Sequence, residues 1–230
     1  MGTVINVLTV LTGCSIGIIM RKKIPDPLKN LMLQGVGLVT ILLGIQMGLK
    51  TENILIPLAG LIIGGIIGYV LMIDRKLNEF AGYISRKFTT NNQSDSFIQG
   101  FITSSLIFCV GPMTILGSIN DGIYGDYHLL AVKSMLDGFT AIALTATFGL
   151  GVFFSIGTII IVQGGITVFA LYLGRFLTDQ VISETTAVGG IMIIGIGLLI
   201  LKICRIEISN FLPALIITPL IVLLAGLWVW

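Results

Sequence analysis

Phe108-Cys-Val-Gly-Pro112-Met-Thr-Ile-Leu-Gly117-Ser-Ile-Asn-Asp121-Gly-Ile-Tyr-Gly-Asp126-Tyr-His128, continuing into Leu129-Leu-Ala-Val-Lys133-Ser-Met-Leu-Asp137, carries most of the polar chemistry of this chain. Gly111-Pro112 falls inside an apolar run long enough to cross a bilayer. Proline there removes one helical hydrogen bond and collides with the preceding turn, so the helix is predicted to bend or break. Asp137 lies inside the next apolar run. An ionisable group at membrane depth costs roughly 2.5 to 3.5 kcal/mol on insertion scales, which makes Asp137 a functional candidate by default.

The composition excludes a soluble domain with an ordinary charged surface: 55% of the 230 residues are hydrophobic and 10% are charged, and the mean hydropathy is +1.06. The 29 glycines suit closely packed transmembrane helices. A net charge of +2 makes nucleic acid an unexpected partner. Cys14, Cys109 and Cys204 have no metal-ligand or redox spacing and read as small buried hydrophobes. Because Arg21-Lys22-Lys23 follows the first apolar run, that run reads as a spanning helix and not as a cleaved signal peptide.

Runs of spanning length occur at about 3–20, 30–49, 54–73, 98–119, 128–149, 152–174, 186–203 and 210–228. They predict an all-α polytopic membrane protein of eight helices, or seven if Gly149-Leu150-Gly151 is not a turn. The whole chain, 1–230, reads as one transmembrane domain, with a first repeat unit at 1–73 and further repeat units at 98–230. Between them, segment 74–97 carries Leu77, Phe80, Ala81, Ile84 and Phe88 at helical spacing against Arg75, Lys76, Arg86 and Lys87. That pattern predicts an amphipathic helix on the bilayer surface, followed by a polar loop. Basic residues place loops 21–29 and 74–97 in the cytoplasm and both termini outside, with Asp121, Asp126 and His128 in an outward loop.

Internal similarity points to inverted repeats. At an offset of 103, Met32-Leu33-Gln34-Gly35 matches Met135-Leu136-Asp137-Gly138. At an offset of 155, Gly2-Thr3 matches Gly157-Thr158, Gly35 matches Gly190, and Lys50-Thr51-Glu52 matches Arg205-Ile206-Glu207. One residue of slippage aligns Pro57 with Pro213. The helical hairpins led by the second, fifth and seventh runs thus read as copies of one unit, the later two inverted relative to the first. Secondary transporters are built this way, with their sites at interrupted helices between repeats.

Asp137 stands where the first copy has Gln34, so one acidic group marks this depth. Lys133, four residues earlier, shares its helix face and can either neutralise it or snorkel to the interface and leave it in a wet cavity. Backbone freed at Gly111-Pro112, with Ser104, Ser105, Thr114, Ser118 and Asn120 nearby, offers uncharged oxygen ligands for a small ion or polar solute. Gln34 and Gln163 complete the candidate set, although most intramembrane amides serve as interhelical hydrogen bonds worth about 0.6 kcal/mol. The faces Gly60/Gly64/Gly68 and Gly13/Gly17 permit close helix contact within one chain or between two, so a homodimer is compatible with them.

No enzyme is expected. His128 is the single histidine and falls in a loop, no second carboxylate is clearly at the depth of Asp137, and no metal-ligand cluster exists, so neither a metal nor a cofactor is predicted.

The run Cys109 to Gly138 and the opening Gly2-Thr3-Val4-Ile5-Asn6 resemble the YdfK/YqgA-like family of bacterial inner-membrane proteins, domain-of-unknown-function family 554, and the likeness extends over essentially the whole chain. It implies a multi-pass bacterial inner-membrane protein and supplies neither a substrate nor functional residues. The leading expectation is a small secondary transporter for an ion or small polar solute, with the lipid bilayer as its other partner. A passive channel and a non-transporting structural or sensory module are the alternatives.

Overall fold

The computed structural model describes residues 1–21, 25–88, 94–109, 111–173 and 178–228, and all regular structure among them is helical. In chain order the helices are α1 (Gly2–Arg21), α2 (Asp26–Gly48), α3 (Leu55–Val70), α4 (Ile73–Phe88), α5 (Ser94–Cys109), α6 (Pro112–Tyr124), α7 (His128–Phe148), α8 (Gly151–Val168), α9 (Ala170–Leu173), α10 (Asp179–Ile200) and α11 (Ala214–Trp228), with a 3-10 turn at Ile208–Phe211 before the last.

Among the described residues, α1, α7, α8 and α10 are long and apolar enough to cross a membrane alone. Two bent pairs also reach that length, Leu55–Val70 with Ile73–Glu79 and Ser96–Cys109 with Met113–Tyr124, each turning by 56°. Of the eight predicted spans, the described residues thus account for four, or six if each bent pair is one span, and the stretches Gln34–Gly48 and Ile208–Leu224 add two shorter apolar helices. The amphipathic face predicted for 74–97 falls largely on side chains outside the described residues, but α4 itself is helical.

The break at Gly111-Pro112 is a fresh helix start and not a kink. Gly111 is extended, at φ 175 and ψ 153, and Pro112 opens α6 at a position where a missing N–H removes no helical bond. At the far end Gly125 takes the left-handed conformation, φ 69, and the Asp126 N–H reaches back to the Asn120 carbonyl at 3.3 Å. Met72 and Lys202 adopt the same left-handed cap, at φ 52 and 58, after α3 and α10, where glycine is the usual choice.

Two compact units form, one from Met1–Val36 with Ala81–Leu173 and one from Gly37–Phe80 with Gly174–Trp230. In the first, a methyl group added to Gly13 would meet the Gly138 carbonyl and Ala141, and one on Gly17 would meet Ile142 and Thr145, so α1 and α7 run parallel in tight contact. The α5 and α8 helices are also parallel: Gly151 abuts Phe97, and the Ser105 and Thr158 hydroxyls lie 2.7 Å apart. In the second unit, Gly60, Gly64 and Gly68 of α3 seat Thr218, Ala214 and Asn210, which is antiparallel packing onto the last segment. Gly37 and Gly44 of α2 meet Leu201 and Gly190 in the same antiparallel sense. These glycine faces are therefore occupied within the chain. Of the cysteines, Cys14 and Cys109 are buried as expected, but Cys204 is exposed because it falls beyond the end of α10.

Gly68→Ala is expected to lower stability by about 1–3 kcal/mol, since the added carbon strikes Asn210 backbone that cannot rotate away. Gly157→Ala, in open space on α8, is expected to be neutral or to stabilise by up to about 1 kcal/mol. Thermal unfolding in detergent checks both, and equal effects would contradict this helix pairing.

Candidate functional site

A helical carbonyl ordinarily accepts from the N–H four residues ahead. For Phe108 that residue is Pro112, which has no N–H. The chain satisfies this carbonyl by other means: the Thr114 hydroxyl donates to it at 3.1 Å and the Lys133 ammonium at 2.5 Å. Lys133 also pairs with Asp137 one turn later on α7. Both residues are only 5% exposed, so Lys133 does not snorkel; it is drawn inward by the open carbonyl and by the carboxylate.

The network continues across α1 and α8. Asn6 Nδ2 donates to Asp137 Oδ2 at 3.0 Å and to Gln163 Oε1 at 2.8 Å. Gln163 Nε2 donates to Thr3 Oγ1 at 3.3 Å, and the Thr167 hydroxyl donates to the Gln163 carbonyl at 2.9 Å. Asn6 and Gln163 are fully buried. Within the network Asn6 Oδ1 is buried without a hydrogen-bond partner, and so is Ser118 Oγ on α6.

Of the ten residues proposed from sequence, Asp137, Gln163 and Thr114 belong to this network directly. Gly111 and Pro112 create the break on which it rests. Ser118 lies one turn beyond Thr114 on α6 and is buried. Asn120 is half-buried and contributes its carbonyl to the end of α6. Ser104 folds back onto its own helix, bonding the Gly100 carbonyl at 2.6 Å, and Ser105 joins α5 to Thr158 of α8. Gln34 is exposed on α2, outside the network.

Asn6 and Lys133 turn out to be central members. Asp121 is not in an outward loop: it sits in α6, 8% exposed, and accepts the Gly2 N–H at 2.9 Å. Asp126 and His128 are exposed, as expected, with Asp126 Oδ1 accepting the His128 N–H at 3.0 Å. A further buried carboxylate went unread. Glu184, fully buried on α10, accepts the Glu52 and Asn53 N–H groups at 2.8 and 3.1 Å and the Thr51 hydroxyl at 2.6 Å. It pins the turn between α2 and α3. Among the described residues no cluster of His, Cys, Asp and Glu is placed to hold a metal. A groove of about 330 Å³, lined by Thr9, Gly13, Ile16, Met135, Phe139 and neighbouring groups, opens between α1 and α7 and contains no member of the network.

Residues 1–223 match the family described as protein of unknown function DUF554. The chain belongs to the DUF554 family. It is 32% identical over 227 residues to the uncharacterised membrane protein YdfK of Bacillus subtilis (strain 168), covering 96% of this chain and 95% of that one. To the uncharacterised protein YqgA of Escherichia coli (strain K12) it is 27% identical over 219 residues, covering 94% and 93%. No solved structure matches it. This DUF554 chain is a multi-pass membrane protein by its apolar helices and by its likeness to YdfK.

Asn6→Ala removes the donor shared by Asp137 and Gln163 and is expected to cost about 1–3 kcal/mol. Asn78→Ala, which breaks an exposed bond to Asp74, is expected to change stability by less than about 0.5 kcal/mol. Denaturant unfolding in mixed micelles reads the difference.

Proposed function

We propose that this protein is a secondary transporter of the bacterial inner membrane for an ion or small polar solute, with its site at the helix break and Asp137. One observation carries the reading: a buried Lys133–Asp137 pair rests on a carbonyl that a broken helix has released. Buried charge at a discontinuous helix is the usual arrangement for substrate and coupling-ion sites in such proteins.

Helix directions support eight spans and inverted repeats. Parallel α1 and α7 require an odd number of crossings between them, which α2, α3 and the bent α5–α6 pair provide if each is one span. The 155-residue offset equates α1 with α8, α2 with α10 and α3 with the last segment. Each equated pair packs antiparallel, as inversion demands, the first of them through Asn6 with Gln163. The basic residues favour cytoplasmic loops at 21–29 and 74–97 and both termini outside. A homodimer gains no support from the glycine faces, which are occupied internally.

A non-transporting module is the second reading. It is favoured by the fact that the charges of Lys133 and Asp137 already satisfy one another. Proteoliposomes given gradients of Na⁺, K⁺, H⁺, amino acids and organic anions separate the readings, with solid-supported-membrane currents for electrogenic cycles and isotope uptake for silent ones. Saturable flux in wild type that is lost in Asp137→Asn is the expected result. Sustained conductance would identify a channel, and no flux of any solute by either method would leave the structural module.

A further inference from the structure

We infer that the Lys133 ammonium is a tethered occupant of a monovalent-cation site, so that the protein carries its own counter-ion where another transporter would bind an alkali ion. The oxygen groups around the ammonium are those that bind such ions. They are the Phe108 carbonyl, which proline has deprived of its helical donor, and the Asp137 carboxylate. Two further buried oxygens lack partners, Asn6 Oδ1 and Ser118 Oγ. The first belongs to the amide whose nitrogen bonds Asp137, and the second lies one turn past Thr114, which itself bonds the Phe108 carbonyl.

Charge fixes the valence of the occupant. Asp137 contributes one negative charge, and Asn6, Gln163, Thr114 and Ser118 contribute none, so one positive charge balances the site in a medium that penalises any residue of charge. Lys133 supplies that charge on a flexible stem as a compact ammonium. An added Na⁺ or K⁺ would therefore find the Phe108 carbonyl and the Asp137 carboxylate already engaged, and no unbalanced charge to attract it. Removing the ammonium exposes both.

The functional half of this inference, that wild-type transport needs no alkali ion, rests on the transport reading; the binding half is read without transport. Purified wild type, Lys133→Met, Lys133→Ala and the double variant Lys133→Met/Asp137→Asn are unfolded thermally in NaCl, KCl, MgCl₂ or choline chloride at constant ionic strength. Wild type is expected to show the same midpoint in all four salts. In Lys133→Met and Lys133→Ala the midpoint should rise with the logarithm of NaCl or KCl concentration, the signature of a ligand that binds only the folded state. MgCl₂ should not substitute, and the double variant should lose the response. Folding of either single variant only when NaCl or KCl is present throughout purification would support the same conclusion.

Three results would overturn it: an alkali-ion response in wild type, single variants indifferent to all four salts, or a response that survives loss of Asp137. Failure of either single variant to fold in any salt, or of both, would count against it as well, since a vacated cation site should be refilled. None of these outcomes touches the loss of flux expected for Asp137→Asn, so the transport reading stands or falls separately.

Discussion

The Phe108 carbonyl is the constraint from which the rest of the first unit follows. Pro112 denies it the donor a continuous helix would supply, and with Phe108 fully buried no bulk water can take that role. The Thr114 hydroxyl and the Lys133 ammonium fill the gap. An ammonium in an apolar interior then needs a counter-charge, which Asp137 provides from the same helix face. Asp137 is bridged by Asn6, and Asn6 by Gln163, so one missing N–H is answered by side chains on α6, α7, α1 and α8. Each buried polar group compels the next, because leaving any of them unpaired costs more than ordering its partner.

Close backbone approach makes that chain of donors and acceptors short enough to connect. Asn6 reaches Asp137 because α1 lies against α7 along the line of Gly13 and Gly17, where any side chain would separate the helices. The second unit uses the same device for a different end: Gly60, Gly64 and Gly68 bring the last segment against α3. There the buried carboxylate, Glu184, meets only backbone N–H groups and a hydroxyl among the described residues, and it holds a turn in place. The two carboxylates thus differ in kind. Asp137 is balanced by a charge at a broken helix, whereas Glu184 is balanced by dipoles at a helix connection.

Much of the first unit is legible in the sequence because proline and charge are unambiguous in an apolar context. Gly111-Pro112 announces the break, Asp137 announces a buried charge, and the four-residue spacing puts Lys133 beside it. What spacing alone does not decide is which way Lys133 turns, since the carbonyl that draws it inward lies 25 residues earlier in the chain and comes near only through tertiary packing. Gln34 stands outside the network for a related reason: α2 is apolar along most of its length, and nothing in its pattern tells an inward amide from an outward one. Glu184 escapes notice because the apolar run begins at about 186, whereas the helix starts at Asp179 and carries the carboxylate into the interior on its second turn.

A double-mutant cycle on Lys133 and Asp137, read by reversible unfolding in mixed micelles, tests most directly whether the pair is a single coupled unit at the helix break. Either Lys133→Met or Asp137→Asn alone should cost about 3–5 kcal/mol, because each leaves a buried group without its counterpart. The double variant should cost far less than the two together, since no uncompensated charge remains. Additive losses would contradict the account and would mean that Lys133 and Asp137 are held in place independently of one another.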